Sequence, residues 1–225
     1  MPQNNTKFKK ITWLILILIL PIFFFLFLNF FGKNHYKMPT YYPIDSVKVN
    51  KKWQVTYHTL PDFTFVNQYG DKITRSSVKG KVFVANFFFT KCGNPTLCPR
   101  MSKEFARVQQ MLIKHDNVLL LSHSVDPEND TPTVLRKYAE AYGAKRNKWH
   151  FLTGLKQDVY SLAYHGYKIN AGQEKDTVLP EFLHATKFML VDAEGRIRGY
   201  YDGTDSKEVD RMIIEINILL YEMKI

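Results

Sequence analysis

Hydrophobic positions follow three different patterns along the 225-residue chain, and each pattern predicts a different kind of element. Residues 11–31 are apolar without a single charge, over a length that crosses the hydrocarbon core of a bilayer as a helix. Residues 81–89 and 117–125 are short, nearly continuous apolar runs, which are typical of strands buried on both faces of a sheet. In 99–115 and 206–223 the apolar residues recur at helical spacing, which predicts amphipathic helices.

The order of these segments predicts the fold class. A strand at 81–89, a helix at 99–115 and a strand at 117–125 imply a right-handed parallel crossover. The other predicted elements are two β-rich runs within 63–74, helices at 131–142 and 158–167, and a hairpin of strands 187–192 and 196–201. A parallel unit first and an antiparallel hairpin with a helix last indicate an α/β protein with a thioredoxin-like fold, a central mixed sheet flanked by helices.

The apolar amino-terminal segment predicts a transmembrane helix. A cleaved signal peptide is the alternative, but the apolar run is longer than a signal core and no small-residue cleavage site follows it. Pro39 and Pro43 discourage regular structure after it, which favours a linker. The predicted organisation is a cytoplasmic amino terminus at 1–10, a transmembrane anchor at 11–31, a linker at 32–52 and the thioredoxin-like domain at 53–225.

Charge next to the apolar segment predicts the orientation of the chain. Lys7, Lys9 and Lys10 precede the segment, whereas Lys33 and Lys37 follow it, so the positive-inside rule favours a cytoplasmic amino terminus. A pair of cysteines also makes more sense in an oxidising compartment. We therefore expect a single-pass membrane protein whose domain lies on the extracytoplasmic side, periplasmic or equivalent.

The net charge of +10 raises the question of a nucleic-acid partner. The basic residues are scattered through the chain, with no basic helix face and no nucleic-acid motif. We therefore expect no nucleic acid, and an anionic membrane surface or an acidic partner accounts better for the charge.

The chain contains two cysteines, Cys92 and Cys98, and both follow the first buried strand. Reactive groups of open α/β sheets collect at the carboxyl ends of strands. Pro99 suits the first position of the following helix, so Cys98 is predicted to be the N-cap, where the helix dipole favours a thiolate. The alternatives are a structural disulfide or two small buried residues, but a bridge closing so short a loop stabilises little. Redox chemistry and metal chemistry both remain open at this point.

Several motifs together carry a resemblance to a known family. They are PDF at 61–63, FFFTKC with CPRM ending at residue 101, VDPENDTP at 125–132, WHFLTG at 149–154 and HATKFMLVDAEGRIRGYYDG at 184–203. Over residues 57–221 the chain resembles the SCO/SenC proteins, membrane-tethered thioredoxin-fold proteins that handle copper for the CuA centre of cytochrome c oxidase. The resemblance implies copper as Cu(I) and/or Cu(II), and the copper subunit of the oxidase as partner. Other copper carriers or thiol reductants are further partners that it suggests.

The resemblance also implies a ligand set, with one departure. The family binds copper through two cysteines spaced C-x-x-x-C-P and one histidine, and Cys98 and His184 match the second cysteine and the histidine. Asn94 stands in the place of the first cysteine, and Cys92 lies two residues earlier. We expect Cys92, Cys98 and His184 as ligands, with Asp126 as an acidic residue close to the site.

Three functions follow as hypotheses. The first is copper delivery to the CuA site, in which the protein is a metallochaperone and not an enzyme in the strict sense. The second is a thiol–disulfide oxidoreductase that keeps the acceptor's cysteines reduced, with Cys92 and Cys98 as the redox pair and Cys98 as the more acidic thiol. The third is a peroxidase, which only the neighbouring Arg100 favours. Met101 and Met189 are soft enough for copper but are predicted to pack in the core.

Overall fold

The computed structural model describes residues 5–31, 37–49, 52–94, 97–169 and 186–224, which divide into two units between Tyr36 and Lys37. The first unit contains helix α1 (Asn5–Phe31), which continues through Pro21. Its stretch Thr12–Phe30 has a mean hydropathy of 2.7 and is long and apolar enough to cross a membrane. A signal sequence near the amino terminus can also be long and apolar enough, so the anchor at 11–31 stays a prediction.

The second unit is built on a mixed sheet of seven strands in the order β4-β3-β7-β6-β5-β8-β9. Strands β5, β6 and β7 are parallel, and the pairs towards both edges are antiparallel. The strands of this sheet are β3 (Thr64–Asn67), β4 (Lys72–Thr74), β5 (Val82–Phe88), β6 (Val118–Ser124), β7 (Trp149–Thr153), β8 (Lys187–Val191) and β9 (Ile197–Asp202). The predicted mixed sheet and its parallel β5–β6 pair are confirmed.

Helices flank the sheet, as predicted. They are α2 (Cys98–Met111), α3 (Pro132–Ala141), α4 (Lys156–Ser161), which continues into a π-helical turn at Leu162–Gly166, and α5 (Ser206–Met223). The start of α3 shows why the sequence folds locally in this way. The side chain of Thr131 accepts a hydrogen bond from the backbone N–H of Val134, and Pro132 occupies the first helical position, where its missing N–H is not needed.

Strand β5 separates the two halves of the core. Val82, Val84 and Phe88 point into a cluster with residues of α2 and α5, whereas Phe83 and Ala85 point into a second cluster on the other face. All seven residues of β5 are buried, and the same is true of β6. The prediction of strands buried on both faces is confirmed. Met101 and Met189 are also buried in these clusters, as expected for core residues.

The predicted linker at 32–52 contains regular structure, and the prediction is wrong for that part. Strand β1 (Pro43–Val49) pairs with β2 (Lys52–Tyr57) in an antiparallel hairpin outside the main sheet. Pro43 is the first residue of its strand, a position in which its missing N–H is tolerated. Just before this hairpin, Met38 is buried in the core, and its backbone carbonyl accepts a hydrogen bond from buried Arg198 at 2.8 Å.

Strand β7 was not predicted from the sequence. It pairs in parallel with β6 and antiparallel with β3, so it joins the parallel centre of the sheet to its antiparallel edge. Five residues with a histidine in the second position carry too little pattern to be distinguished from a loop. Its place in the sheet comes from tertiary pairing on both sides.

Candidate metal and thiol site

The two cysteines lie at the junction of β5 and α2, at the carboxyl end of a central strand. Cys98 is 3% exposed and packs in the core, and Cys92 is half-buried against the same cluster. The Cys92 side chain lies close enough to Cys98 to raise the pKa of the Cys98 thiol. The Cys92 thiol donates to the backbone carbonyl of Asn94 at 3.6 Å. The loop therefore returns Cys92 to Cys98 in spite of the five intervening residues.

The environment of Cys98 differs from the predicted one. Helix α2 begins at Cys98 itself, with Leu97 as the N-cap and Pro99 inside the first turn, so the prediction of Cys98 as N-cap is wrong. The pKa of the Cys98 thiol is raised to about 12, chiefly by burial and also by the neighbouring Cys92, against an opposing backbone hydrogen bond from Phe89. Loss of hydration outweighs the helix terminus here. In the metal-free protein Cys98 is a neutral thiol, not the acidic one expected.

A buried carboxylate fixes the start of the cysteine loop. Asp130 is fully buried, and its carboxylate accepts hydrogen bonds from the backbone N–H of Thr90 at 3.2 Å and from the Thr90 hydroxyl. The hydroxyl of Ser124, at the end of β6, donates to the same carboxylate at 2.5 Å. Two loops that follow neighbouring parallel strands are thereby joined at the edge of the sheet where the thiols lie.

Asp126, the acidic residue that the resemblance suggested, has other contacts. Its carboxylate accepts both hydrogen bonds from the Asn129 amide, at 3.1 and 2.9 Å, and its backbone N–H donates to the Ser124 hydroxyl. Asn129 in turn accepts a hydrogen bond from the Lys91 ammonium at 3.0 Å, next to Cys92. Asp126 thus reaches the cysteine loop through Asn129. Sequence reasoning missed Asp130, because nothing in the VDPEND pattern separates a buried carboxylate from exposed ones.

Helix α3 closes the buried side of the site. The Tyr138 hydroxyl lies 2.9 Å from the Ser102 hydroxyl, one helical turn beyond Cys98 in α2. The Tyr138 ring packs on Phe88 with centroids 5.3 Å apart. Burial raises the pKa of Tyr138, and Cys98 is close enough to contribute. Cys98 is therefore buried in the cluster that contains Phe88 and lies near Tyr138, whereas Cys92 is half-buried.

His184, the third predicted ligand, lies outside the described residues. Strand β8 begins at Lys187, and Ala85 of β5 pairs with Met189 of β8 in antiparallel register. The start of β8 therefore lies towards the carboxyl end of β5, where the cysteine loop begins. Among the residues that the structure describes, no group of three or more His, Cys, Asp or Glu side chains is arranged to hold a metal ion.

Two adjacent thiols permit two kinds of chemistry. As thiolates they are soft donors of the type that selects Cu(I), and a third donor would complete a three-coordinate set. Without a metal they can form a disulfide or exchange with one. The half-buried Cys92 is the thiol that a partner reaches first.

Comparisons with known proteins agree on one family. A family model described as SCO1/SenC matches residues 52–219. The SCO1 protein homolog of Bacillus subtilis is 34% identical over 164 residues, which cover 72% of this chain and 82% of that protein. Among solved structures, BsSco, described as a member of the Sco family of cytochrome c oxidase assembly proteins with a disulfide switch, is 32% identical with a TM-score of 0.60, covering 72% and 92% of the two chains. Bradyrhizobium japonicum ScoI, solved with copper bound, has 22% identity, a TM-score of 0.54 and coverages of 70% and 99%, and supports the fold.

Proposed function

This chain belongs to the SCO1/SenC family, and we propose that it binds copper through Cys92, Cys98 and His184 and delivers it to the CuA site during cytochrome c oxidase assembly. Copper is cargo in this proposal. The observation that carries it is the juxtaposition of the two thiols at the carboxyl end of β5.

The donor chemistry supports copper as the cargo. Two cysteines and a histidine form a soft set that suits Cu(I). A solved relative holds copper, and another is described as an oxidase assembly protein. The return of Cys92 to Cys98 supports the view that Cys92 takes the role of the family's first cysteine, although Asn94 occupies the usual position.

The register of the sheet supports His184 as the third ligand. His184 precedes β8 by three residues, and the pairing of β5 with β8 directs the start of β8 towards the cysteine loop. Among the described residues no group of three or more possible ligands is arranged to hold a metal ion, and His123 is enclosed among the rings of the opposite core cluster.

The predicted membrane-spanning helix is consistent with delivery on the extracytoplasmic side. A tethered domain shares the membrane with an acceptor that is itself membrane-bound, and the flanking lysines favour a cytoplasmic amino terminus. In this arrangement the copper subunit of the oxidase is the partner, and thiols of the acceptor would take the metal by ligand exchange.

Thiol–disulfide exchange is the second candidate function, and the unequal exposure of the two cysteines favours it. Cys92 is accessible to a partner disulfide, and the buried Cys98 neighbours it and can resolve the mixed disulfide. The sequence alone left the order of attack open and favoured Cys98 only as the more acidic thiol. BsSco, a relative at 32% identity, is described with a disulfide switch.

Anaerobic Cu(I) titration of the reduced full-length protein in detergent tests the copper proposal. We expect one tight equivalent, lost or strongly weakened in Cys92→Ser and in His184→Ala. His165→Ala is the matched control, because His165 is exposed on the π-helical turn, and it should bind as the wild type does. Tight binding that survives His184→Ala would remove His184 from the ligand set. If the wild type shows no tight binding, copper delivery is wrong and exchange chemistry remains.

A further inference from the structure

The β1–β2 hairpin exposes several large apolar side chains. All seven residues of β1 are exposed, and so are residues 53–56 of β2. Ile44 is 68% exposed and Trp53 is 67% exposed. The exposed valines of the hairpin are Val47, Val49 and Val55. A two-stranded hairpin that no other layer covers is only marginally stable in water. Its exposed apolar surface therefore indicates that it binds another molecule or a membrane.

The base of the hairpin is held firmly on the domain. The backbone N–H of His58 donates to the carbonyl of Tyr42 at 2.9 Å, and the His58 ring nitrogen Nε2 lies 2.8 Å from the carbonyl of Gly166. The rings of Tyr42 and Tyr200 meet edge to face, and the Tyr200 hydroxyl donates to the carbonyl of Tyr167 at 2.7 Å. The hairpin therefore projects from a fixed base, in a direction that the domain determines.

The far end of the hairpin combines an aromatic residue with basic ones. The Lys48 ammonium lies 5.9 Å from the centroid of the Trp53 ring, and the two residues are paired across the two strands. Lys51 and Lys52 follow in the sequence, and Asp45 is the single acidic residue between 43 and 57. Tryptophan and lysine are the residues that favour the headgroup region of a bilayer, the ring among the lipid carbonyls and the ammonium at the phosphates.

We propose that this end of the hairpin lies in the headgroup region of an anionic bilayer and so orients the domain on the membrane surface. Charge complementarity favours lipid phosphates as the occupant. The hairpin also follows the predicted membrane-spanning helix in the sequence, with residues 32–42 between them. A second copy fits less well, since pairing two hairpins would bring their lysines together.

Tryptophan fluorescence of the full-length protein in vesicles tests this contact. The chain has three tryptophans, of which Trp13 lies in the membrane-spanning helix and Trp149 is fully buried in the core. Trp13→Phe protein, compared with Trp13→Phe/Trp53→Phe protein, isolates the signal of Trp53. In vesicles of phosphatidylcholine with phosphatidylglycerol we expect Trp53 emission at shorter wavelength, quenched by lipids brominated near the headgroup.

Charge reversal tests the role of the lysines. Lys48→Glu/Lys52→Glu should return Trp53 emission towards that of a water-exposed ring, and added salt should do the same to the parent protein. Lys137→Glu/Lys207→Glu makes the same charge change at exposed positions of α3 and α5 and should leave the emission unchanged. The proposal is overturned if Trp53 is equally exposed with and without phosphatidylglycerol. It is also overturned if the shift follows the density of protein in the vesicles instead of their lipid composition, which would indicate pairing of two copies.

Discussion

The carboxylate of Asp130 accepts a hydrogen bond from the backbone N–H of Thr90, at 3.2 Å, across 40 residues of sequence. Thr90 lies two residues before Cys92, so this contact joins the cysteine loop to the loop that follows β6. The Thr90 and Ser124 hydroxyls donate to the same carboxylate, which is fully buried.

Asp130→Ala should destabilise the domain, because three donors lose a charged acceptor away from water. We expect the free energy of unfolding of residues 37–225 to fall by about 3 kcal/mol in urea denaturation. Asp126→Ala is the control, since that carboxylate bonds an exposed asparagine, and its effect should be much smaller. Equal urea midpoints for the two variants would contradict the assignment of Asp130 as the residue that fixes the loop.

The buried thiol of Cys98 predicts a loss of stability in alkali. Its pKa is raised from 9.0 to about 12, so the folded state keeps the proton after the unfolded state has lost it. The contribution is fully present below about pH 9 and declines as pH rises from there towards 12. The free energy of unfolding of the reduced protein, measured from pH 7 to 11, should therefore fall more steeply in the wild type than in Cys98→Ala. Parallel curves would show that the thiol is not protected from ionisation.

His123 predicts the opposite behaviour, a loss of stability in acid. Burial lowers its pKa from 6.5 to about 3, and its Nε2 lies 3.1 Å from the Tyr167 hydroxyl, while its Nδ1 has no hydrogen-bond partner among the described residues. The unfolded state gains a proton first, so stability present above pH 6.5 is lost as pH falls towards 3. His123→Phe should flatten this decline, because Phe63, Phe65 and Phe87 already surround the site. His165→Phe, at an exposed position, should leave it unchanged, and an unaltered acid limb in His123→Phe would refute the prediction.

We predict that the buried guanidinium of Arg198 holds the segment before the hairpin in place. Arg198 pairs with the fully buried Asp192 at 3.1 Å and donates to the carbonyls of Met38 and Pro39. Arg198→Ala leaves a buried carboxylate with one partner fewer and should cost about 3 kcal/mol in thermal or urea unfolding. It should also make the chain near Met38 sensitive to protease.

The matched control is Arg146→Ala, whose exposed ion pair with Asp71 spans 3.6 Å and should contribute little. Protease cleavage before residue 43 at the wild-type rate in Arg198→Ala would show that Met38 is held by its own packing.

The centre of the fold could be read from the sequence because its pattern is local. The runs at 81–89 and 117–125 are apolar on both faces, and Thr131 with Pro132 is a helix start that depends only on neighbouring residues. Strands β7 and β1 escaped prediction because their pairing partners, and not their own pattern, make them strands.

The sequence predicted which two cysteines come together, but it did not predict the acidity of their thiols. The positions of Cys92 and Cys98 after a buried strand indicate a reactive pair, and the structure brings the two together. The expected acidity of Cys98 failed because a helix terminus can be recognised in sequence, whereas burial of the thiol depends on Phe88, Tyr138 and the rest of the core. Asp130 was not predicted for the same reason, because its burial depends on the folded core.

The attachment of Met38 to Arg198 also limits the length of the chain segment that connects α1 to the domain. Six residues, 32–37, lie between the end of α1 and Met38 in the sequence, and at ~3.5 Å each they can span at most roughly 20 Å. If α1 spans the membrane as the sequence predicts, so short a connection would keep the cysteine pair near that membrane, and an acceptor in the same membrane would meet it at a high effective concentration. Transfer between them would then depend on lateral diffusion in two dimensions, and even a weak encounter affinity would suffice.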